Sequence, residues 1–238
     1  MLYTLCLWGN VLVLMADTFT FRNFSSADGL LDLTVSTIYK DSKGYLWLGT
    51  ATSVERFDGV RFKHYPVFGN NEKLKWVNVI TETVGNQLWM GNETGLWRIG
   101  TEKLEPVYRD SIRGIVREIL SDEKGNMYIG SGDGVWIRKT DGKLERLVLD
   151  ERTLSPDNAV VAMCRERNGA LWVCTQREMY WISSDRKQKI HYPNPLMNDK
   201  EPCTYRGVVS IGDKLYIATL GKGLFCFDKQ SKTFSSFV

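Results

Sequence analysis

The two histidines are the first candidates for chemistry, because imidazole is the side chain whose ordinary pKa lies nearest to neutral pH. His64 lies in "KHYP" and His191 in "IHYP", so each precedes a Tyr-Pro pair in a similar segment. A place shared between two similar segments indicates a repeated structural role rather than one catalytic centre. We therefore assign neither histidine to catalysis and expect both in the outermost strand of a repeated unit.

Three aspartates could instead form the paired carboxylates that acid–base catalysis uses. Asp41, Asp122 and Asp213 recur in the equivalent segments "DSKG", "DEKG" and "IGDK". Asp at such a turn accepts hydrogen bonds from its own backbone, so hairpin formation is the better interpretation. The sequence also lacks the nucleophile-elbow, zinc-protease, phosphate-loop and dinucleotide motifs. We predict no catalytic residue.

The five cysteines could bind a metal or form disulfides, but their spacing argues against a metal. No C-x-x-C pair occurs and only two histidines are present, so we expect no metal site and no cofactor. Cys164, Cys174 and Cys226 fall within apolar strand patterns, which favours small buried side chains. The alternative that two of the cysteines form a disulfide is left open.

Composition points to a globular all-β chain. The 238 residues are 43% hydrophobic and 25% charged, and the net charge of +3 is spread without a basic block. We therefore expect no nucleic-acid partner. Eight Trp, ten Tyr and ten Phe are present, and aromatic side chains favour strands.

The N-terminus resembles an export signal. Residues 2–15 are mostly apolar and end at Ala16, before polar sequence begins. This run is too short to span a membrane and suits the hydrophobic part of a secretory signal. We predict a signal peptide over residues 1–16, with a buried first strand as the alternative.

An internal repeat dominates the rest of the chain. Five similar segments carry an aromatic anchor, and successive anchors are 42, 39, 44 and 44 residues apart. The anchors are Trp47, Trp89, Tyr128, Trp172 and Tyr216. Each segment shows four short apolar strands separated by turns, which is typical of a propeller blade.

The repeat predicts a β-propeller of four-stranded blades. Five repeats of about 42 residues account for the chain from residue 35 onward. The predicted blades are 35–76, 77–115, 116–159, 160–205 and 206–238. Residues 17–34 are predicted to form a leader strand that completes a blade.

One face of a propeller carries the loops between strands two and three and those between blades. A ligand-binding surface is most plausible there, and the aromatic and guanidinium groups on it suit sugar rings and acidic or sulfated sugars. The predicted ligand-binding residues are Trp76, Arg113, Arg177, Tyr205 and Arg206. As the alternative, the two aromatic residues simply begin inner strands and the arginines are solvated.

The first repeat carries a recognisable pattern. The stretch "FRNFSSADGLLDLTVSTIYKDSKGYLWLGT", followed by "RFDGVRFKHYP", closely resembles the first blade of the two-component regulator propellers. The pattern is carried by Phe21, Phe24, Gly29, Leu30, Val35, Ile38, Asp41, Gly44, Leu46, Trp47, Gly49, Thr50, Arg56, Phe57, Asp58 and Gly59. The chain departs from it at Ser53 and Glu178, where the family has glycine.

The resemblance implies a function in sensing. Propellers of this family form the periplasmic sensor region of Bacteroides-type hybrid two-component system histidine kinases. It implies an oligosaccharide ligand, contact with the rest of the same ectodomain, a homodimer in the full-length protein, and an inner-membrane anchor. Five repeats would then be the N-terminal part of a larger, seven-bladed ring.

Two alternatives to the sensor remain open. One is a secreted propeller that serves as a scaffold for protein–protein interaction. The other is a propeller enzyme acting on polysaccharide, which would require acid and base groups clustered at one face. Because the sequence shows neither such a cluster nor kinase and receiver motifs, we expect the chain not to be an enzyme.

Overall fold

The computed structural model describes residues 21–67, 74–108, 111–112, 114–149, 158–195 and 204–237. Within these ranges the chain forms five four-stranded antiparallel sheets and no α-helix. Each sheet is a simple meander of four strands consecutive in sequence. The predicted all-β fold of four-stranded blades is confirmed. Cys6, Cys203 and the predicted signal peptide lie outside the described residues.

The strands of each blade follow one another closely in the chain. Blade one contains β1 (Val35–Lys40), β2 (Leu46–Thr50), β3 (Val54–Phe57) and β4 (Phe62–His64). Blade two contains β5 (Val77–Thr83), β6 (Gln87–Asn92), β7 (Gly95–Ile99) and β8 (Leu104–Val107). Blade three contains β9 (Val116–Ser121), β10 (Met127–Ser131), β11 (Gly134–Arg138) and β12 (Leu144–Leu147). Blade four contains β13 (Val160–Arg165), β14 (Leu171–Thr175), β15 (Glu178–Ile182) and β16 (Lys189–Pro193). Blade five contains β17 (Tyr205–Ile211), β18 (Lys214–Thr219), β19 (Leu224–Asp228) and β20 (Thr233–Ser236).

The blades stack in chain order through their first strands. β1 packs on β5, β5 on β9, β9 on β13, and β13 on β17. Both faces of an interior blade are therefore covered by its neighbours, which explains why its second strand is apolar on both sides. Every residue of β14 is buried, for example.

A glycine in the second strand makes close stacking possible in the first three blades. A Cβ at Gly49 would lie 2.5 Å from Val77 Cγ1, and one at Gly91 would lie 2.4 Å from Val116 Cγ1. Real Cβ atoms do not approach so closely, so only glycine admits the first valine of the next blade. The glycine of the W-x-G-T segment is thus a notch for the neighbouring blade.

Two of the three turn aspartates, Asp41 and Asp122, behave as the sequence predicts, whereas Asp213 Oδ2 accepts a hydrogen bond from the Gln230 side chain instead. Asp41 Oδ1 accepts hydrogen bonds from the backbone N–H groups of Lys43 and Tyr45 at 3.0 and 2.9 Å. Asp122 Oδ1 accepts equivalent bonds from Lys124 and Asn126 at 3.0 and 2.8 Å. Burial raises the pKa of Asp122, but a hydrogen bond from the Asn126 side chain, together with these backbone bonds, outweighs burial and holds the pKa below its ordinary value.

The cysteines and histidines also lie where the sequence places them. Cys174 and Cys226 are buried and Cys164 is half-buried, and all three are free thiols. Burial raises the pKa of Cys164 to about 12. His64 ends β4 and His191 lies in β16, which are the outermost strands of their blades.

The leader packs on the outer face of blade one. Residues 21–34 form no strand, and a short 3-10 helix spans Ser26–Asp28. The Phe24 ring lies 5.0 Å from the Phe57 ring and 5.6 Å from the Phe62 ring. Leu30 is buried as well. That the leader completes a blade stays a prediction, as does closure into a seven-bladed ring.

Candidate ligand-binding face

A β-bulge at the second residue of every first strand shapes one end of the blade stack. In each blade the register between the first and second strands shifts at this residue, so the residue has no partner across the pair. The five bulge residues are Ser36, Asn78, Arg117, Val161 and Arg206. Bulges commonly re-aim side chains beside functional sites. We call this end of the stack, with its loops between second and third strands, the bulge face.

In the first two blades the bulge side chain is used for blade stacking. Ser36 Oγ donates to the carbonyl of Val77, and Asn78 Nδ2 donates to the carbonyl of Val116 at 3.0 Å. Each bond reaches the first residue of the next blade's inner strand. These two bulge residues are therefore structural.

In blades three and five the bulge residue is an arginine instead. Within the described ranges, neither Arg117 nor Arg206 forms an ion pair with a carboxylate. Burial and the nearby charge of Arg206 both lower the pKa of Arg117, while Glu93 raises it. The charges of Arg206 and Glu93 therefore both influence the Arg117 guanidinium, with opposite sign.

Glu118, which follows Arg117 in the chain, adds a half-buried carboxyl. Glu118 lies opposite Gly130 in the β9–β10 strand pair. Val160 and Met163 of the next blade occupy the space that a side chain at Gly130 would need. Burial raises the pKa of Glu118 to about 7. In the part of the chain that the structure describes, no hydrogen bond is made to this carboxyl. This carboxyl therefore holds a proton more tightly than an exposed glutamate does.

Three of the predicted ligand-binding residues lie on the bulge face with solvent access. Trp76 directly precedes β5 and is 44% exposed. Arg177 is exposed between β14 and β15, and Arg206 is exposed at its bulge. Their common placement agrees with the sequence analysis, and their role in binding stays a prediction. Arg113 lies outside the described residues.

Tyr205 is not available for stacking on a ligand. Its exposed fraction is 0%, and it packs in the core between blades four and five with Cys174 and Leu215. The ring occupies the place that Val77 and Val116 fill in earlier blades. Tyr205 therefore matches the alternative in the sequence analysis, a residue that begins an inner strand.

The two departures from glycine also make structural contacts. Ser53 Oγ donates to Glu55 Oε1 at 2.9 Å, and the same oxygen accepts from the backbone N–H of Leu31 at 3.0 Å. Ser53 therefore supports the buried carboxylate that anchors the leader. Glu178 accepts from the Tyr180 hydroxyl and lies 3.9 Å from His191 Nδ1.

Sequence reasoning missed Arg117 and Glu118. A signal for them was present, because the repeats align residue by residue. Four of the five residues at the Glu118 position are small or apolar, namely Thr37, Val79, Ala162 and Gly207. The charged pair in the third repeat departs from this pattern, but its meaning depends on the bulge, which pairing in the structure reveals.

Other kinds of site receive no support from the described residues. No group of three His, Cys, Asp or Glu side chains is placed there to hold a metal ion. The same ranges contain no helix with the length and apolar character needed to cross a membrane.

Comparison with known proteins supports the family resemblance. Residues 29–52 match the family model described as the two component regulator propeller. A curated relative, "Histidine kinase P4" of Formosa agariphila, is 41% identical over 49 residues, which are 21% of this chain and 4% of the relative.

Solved structures show the same fold. The extracellular domain of a putative hybrid two component system from B. thetaiotaomicron matches 85% of this chain and 29% of its own, with a TM-score of 0.69 and 18% identity. Virginiamycin B lyase from Staphylococcus aureus matches 87% of this chain and 71% of its own, with a TM-score of 0.69 and 13% identity.

The chain spans 4% of the matched histidine kinase and 29% of the matched extracellular domain of the hybrid two component system. At identities below one fifth, the solved structures establish the fold and not the activity. The match to a family model is confined to residues 29–52. The chain is therefore a protein of four-stranded propeller blades that carries a two component regulator propeller sequence at residues 29–52.

Proposed function

We propose that this chain is the propeller part of an exported sensor of a hybrid two-component system. The sensor binds a glycan-derived ligand, and the full-length protein passes the signal to a histidine kinase. The observation that carries this proposal is the two component regulator propeller match at residues 29–52. The fold shared with the extracellular domain of a hybrid system supports it.

We assign the ligand to the bulge face. Arg117 and Arg206 lie there without carboxylate partners in the described ranges, and the exposed Trp76 ring lies at the same end of the stack. Guanidinium groups bind carboxylates and sulfates, and an exposed indole stacks on a sugar ring. An acidic or sulfated oligosaccharide suits this combination.

Export and assembly form part of the proposal. Residues 1–16 act as a signal peptide and the blades reside in the periplasm, while an inner-membrane anchor lies elsewhere in the full-length protein. The partners are the rest of the ectodomain and a second copy of the full-length sensor.

The test is calorimetric titration of the full chain with a panel of acidic, sulfated and neutral oligosaccharides. We expect an acidic or sulfated member to bind and Arg206→Gln to weaken that binding about tenfold or more, because a charge-assisted hydrogen bond is lost. Arg167→Gln is the matched control, since Arg167 is exposed in the β13–β14 turn at the opposite end. Binding that Arg206→Gln leaves unchanged contradicts the assigned face, and the absence of binding by every member contradicts the ligand class.

A further inference from the structure

A cleft between blades one and two lies at the opposite end of the stack from the bulge face. Its volume is about 260 Å³, close to the lower end of the range for small-molecule sites. Blade one contributes the β1–β2 turn and the start of β2, and blade two contributes the β5–β6 hairpin. The lining includes Lys43, Tyr45, Trp47, Arg56, Tyr65 and Gln87.

The carboxylates in this cleft are already engaged. Asp41 accepts three hydrogen bonds, from the backbone of Lys43 and Tyr45 and from the Trp47 indole. Glu82 accepts from the backbone N–H of Ser42 at 2.7 Å and from its hydroxyl at 2.8 Å. Their oxygen atoms are therefore engaged in the turn and in the contact between the two blades.

The Arg56 guanidinium, in contrast, has unused donors. Its Cζ atom lies 4.2 Å from the centre of the Tyr45 ring, so the aromatic face holds the guanidinium plane in place. Arg56 Nε is buried and donates no hydrogen bond. Among the described residues Arg56 forms no ion pair. A buried donor without an acceptor is costly. The Arg56 side chain also lines the cleft.

Stacking on an aromatic ring does not by itself leave an arginine unbonded. Arg138 lies 5.2 Å from the centre of the Trp89 ring, and its Nε donates to the Tyr108 hydroxyl at 3.0 Å. The protein therefore satisfies the stacked arginine of blade three internally. Arg56 stacks on Tyr45 and lines the cleft, but its Nε makes no such bond among the described residues.

Lys43 gives the cleft a second positive charge. Its side chain is exposed, and within the described ranges it pairs with no carboxylate. The half-buried Tyr45 ring provides the aromatic wall of the cleft. Trp47 and Tyr65 also line it but are only 3% exposed, and their ring centres are 4.8 Å apart. Gln87 and Thr101 add polar groups that suit sugar hydroxyls. The cleft thus combines a guanidinium fork, a point charge and an aromatic wall.

We propose that this cleft binds a sugar acid through its carboxylate. The Arg56 fork holds the two carboxylate oxygens, Lys43 adds charge, and the aromatic wall contacts the ring. The site is separate from the bulge face and does not rest on the proposed sensor function.

The test is calorimetric titration of the full chain with D-galacturonate and, as the neutral counterpart, D-galactose. We expect galacturonate alone to bind. Arg56→Gln should weaken binding about tenfold or more, because a charge-assisted hydrogen bond is lost. Lys43→Gln should weaken it about twofold to threefold, as exposed ion pairs are weak. Lys43→Gln also guards against misfolding, since its side chain is exposed.

Control variants locate the effect. Arg167→Gln should leave galacturonate affinity unchanged. The proposal is overturned if galacturonate does not bind, if Arg56→Gln binds it as tightly as the parent, or if Arg206→Gln rather than Arg56→Gln abolishes binding. Binding of inorganic sulfate as tight as that of galacturonate would overturn the carboxylate assignment.

Discussion

The Trp47 indole N–H donates a 2.8 Å hydrogen bond to Asp41 Oδ2 across the hairpin that begins blade one. The Trp172 indole makes the same bond to Glu166 at 2.8 Å, and in each case the acceptor precedes the anchor by six residues. The turn and the blade interface are therefore one unit, because the anchor that packs between blades also satisfies the turn carboxylate.

Replacement of Asp41 by Ala should destabilise the fold. The change removes the acceptor for two backbone N–H groups and leaves the buried Trp47 N–H without its bond, at a cost of about 2 kcal/mol. The free energy of unfolding in urea measures the effect. Asp141→Ala is the matched control, since the exposed Asp141 accepts one backbone bond from Lys143. An equal loss in both variants would contradict the role of the indole bond.

Replacement of Gly91 by Ala should also destabilise the fold. Its Cβ would meet Val116 Cγ1 at 2.4 Å and the Val116 carbonyl oxygen at 2.9 Å, so the third blade must move away. Overpacking of this kind costs about 1–3 kcal/mol. Gly207→Ala should be nearly neutral, because the nearest atom to its Cβ is 3.9 Å away. Thermal unfolding of both variants measures the effect. Similar unfolding midpoints would contradict the claim that close blade stacking requires glycine at position 91.

Glu118 should make stability depend on pH. Its pKa rises from 4.5 to about 7 on folding, so the folded protein holds the proton more tightly than the unfolded chain. The contribution of Glu118 to the stability of the fold is therefore greatest below pH 4.5. This contribution is lost as the pH rises from 4.5 through about 7. Relative to the parent, Glu118→Gln should gain up to about 3 kcal/mol at pH 8 and nothing at pH 4.

Urea unfolding of the parent and Glu118→Gln from pH 4 to pH 8 tests this expectation. Glu102→Gln, a change at an exposed site, should follow the parent. If the parent and Glu118→Gln show parallel pH profiles, the carboxyl does not titrate in this range.

Removal of the Phe24 ring should release the leader from blade one. The ring contacts Phe57 and Phe62, and because it is only half-buried we expect a loss of about 1–2 kcal/mol. Limited proteolysis should then cut Phe24→Ala within residues 21–34 sooner than the parent. Phe21, which is 89% exposed, provides the control. Equal cleavage of Phe21→Ala and Phe24→Ala would argue against the packing role.

The fold was largely predictable from the repeat. Trp47, Trp89 and Trp172 recur at regular spacing, and alternation around them marks strands, because both signals depend only on local sequence. The turn role of Asp41 was predictable for the same reason. The packing of Phe24 on blade one was not, since it depends on which face of the first sheet is left open.

The candidate site was predictable only in part. The exposed positions of Trp76 and Arg206 follow from loop placement in a blade. Tyr205 was misjudged because burial depends on the neighbouring blade rather than on its own segment. Arg117 and Arg56 were missed because bulges and unsatisfied donors arise from pairing and packing between segments that are distant in sequence.

The glycine notch has a consequence for how such chains change in evolution. Val77 enters the notch at Gly49, and Val116 enters the notch at Gly91, so blades of this kind have a receiving side and an inserting side. The stack therefore has a direction. A whole unit can be duplicated or deleted with both kinds of side preserved, whereas a cut within a unit would join two sides that do not fit.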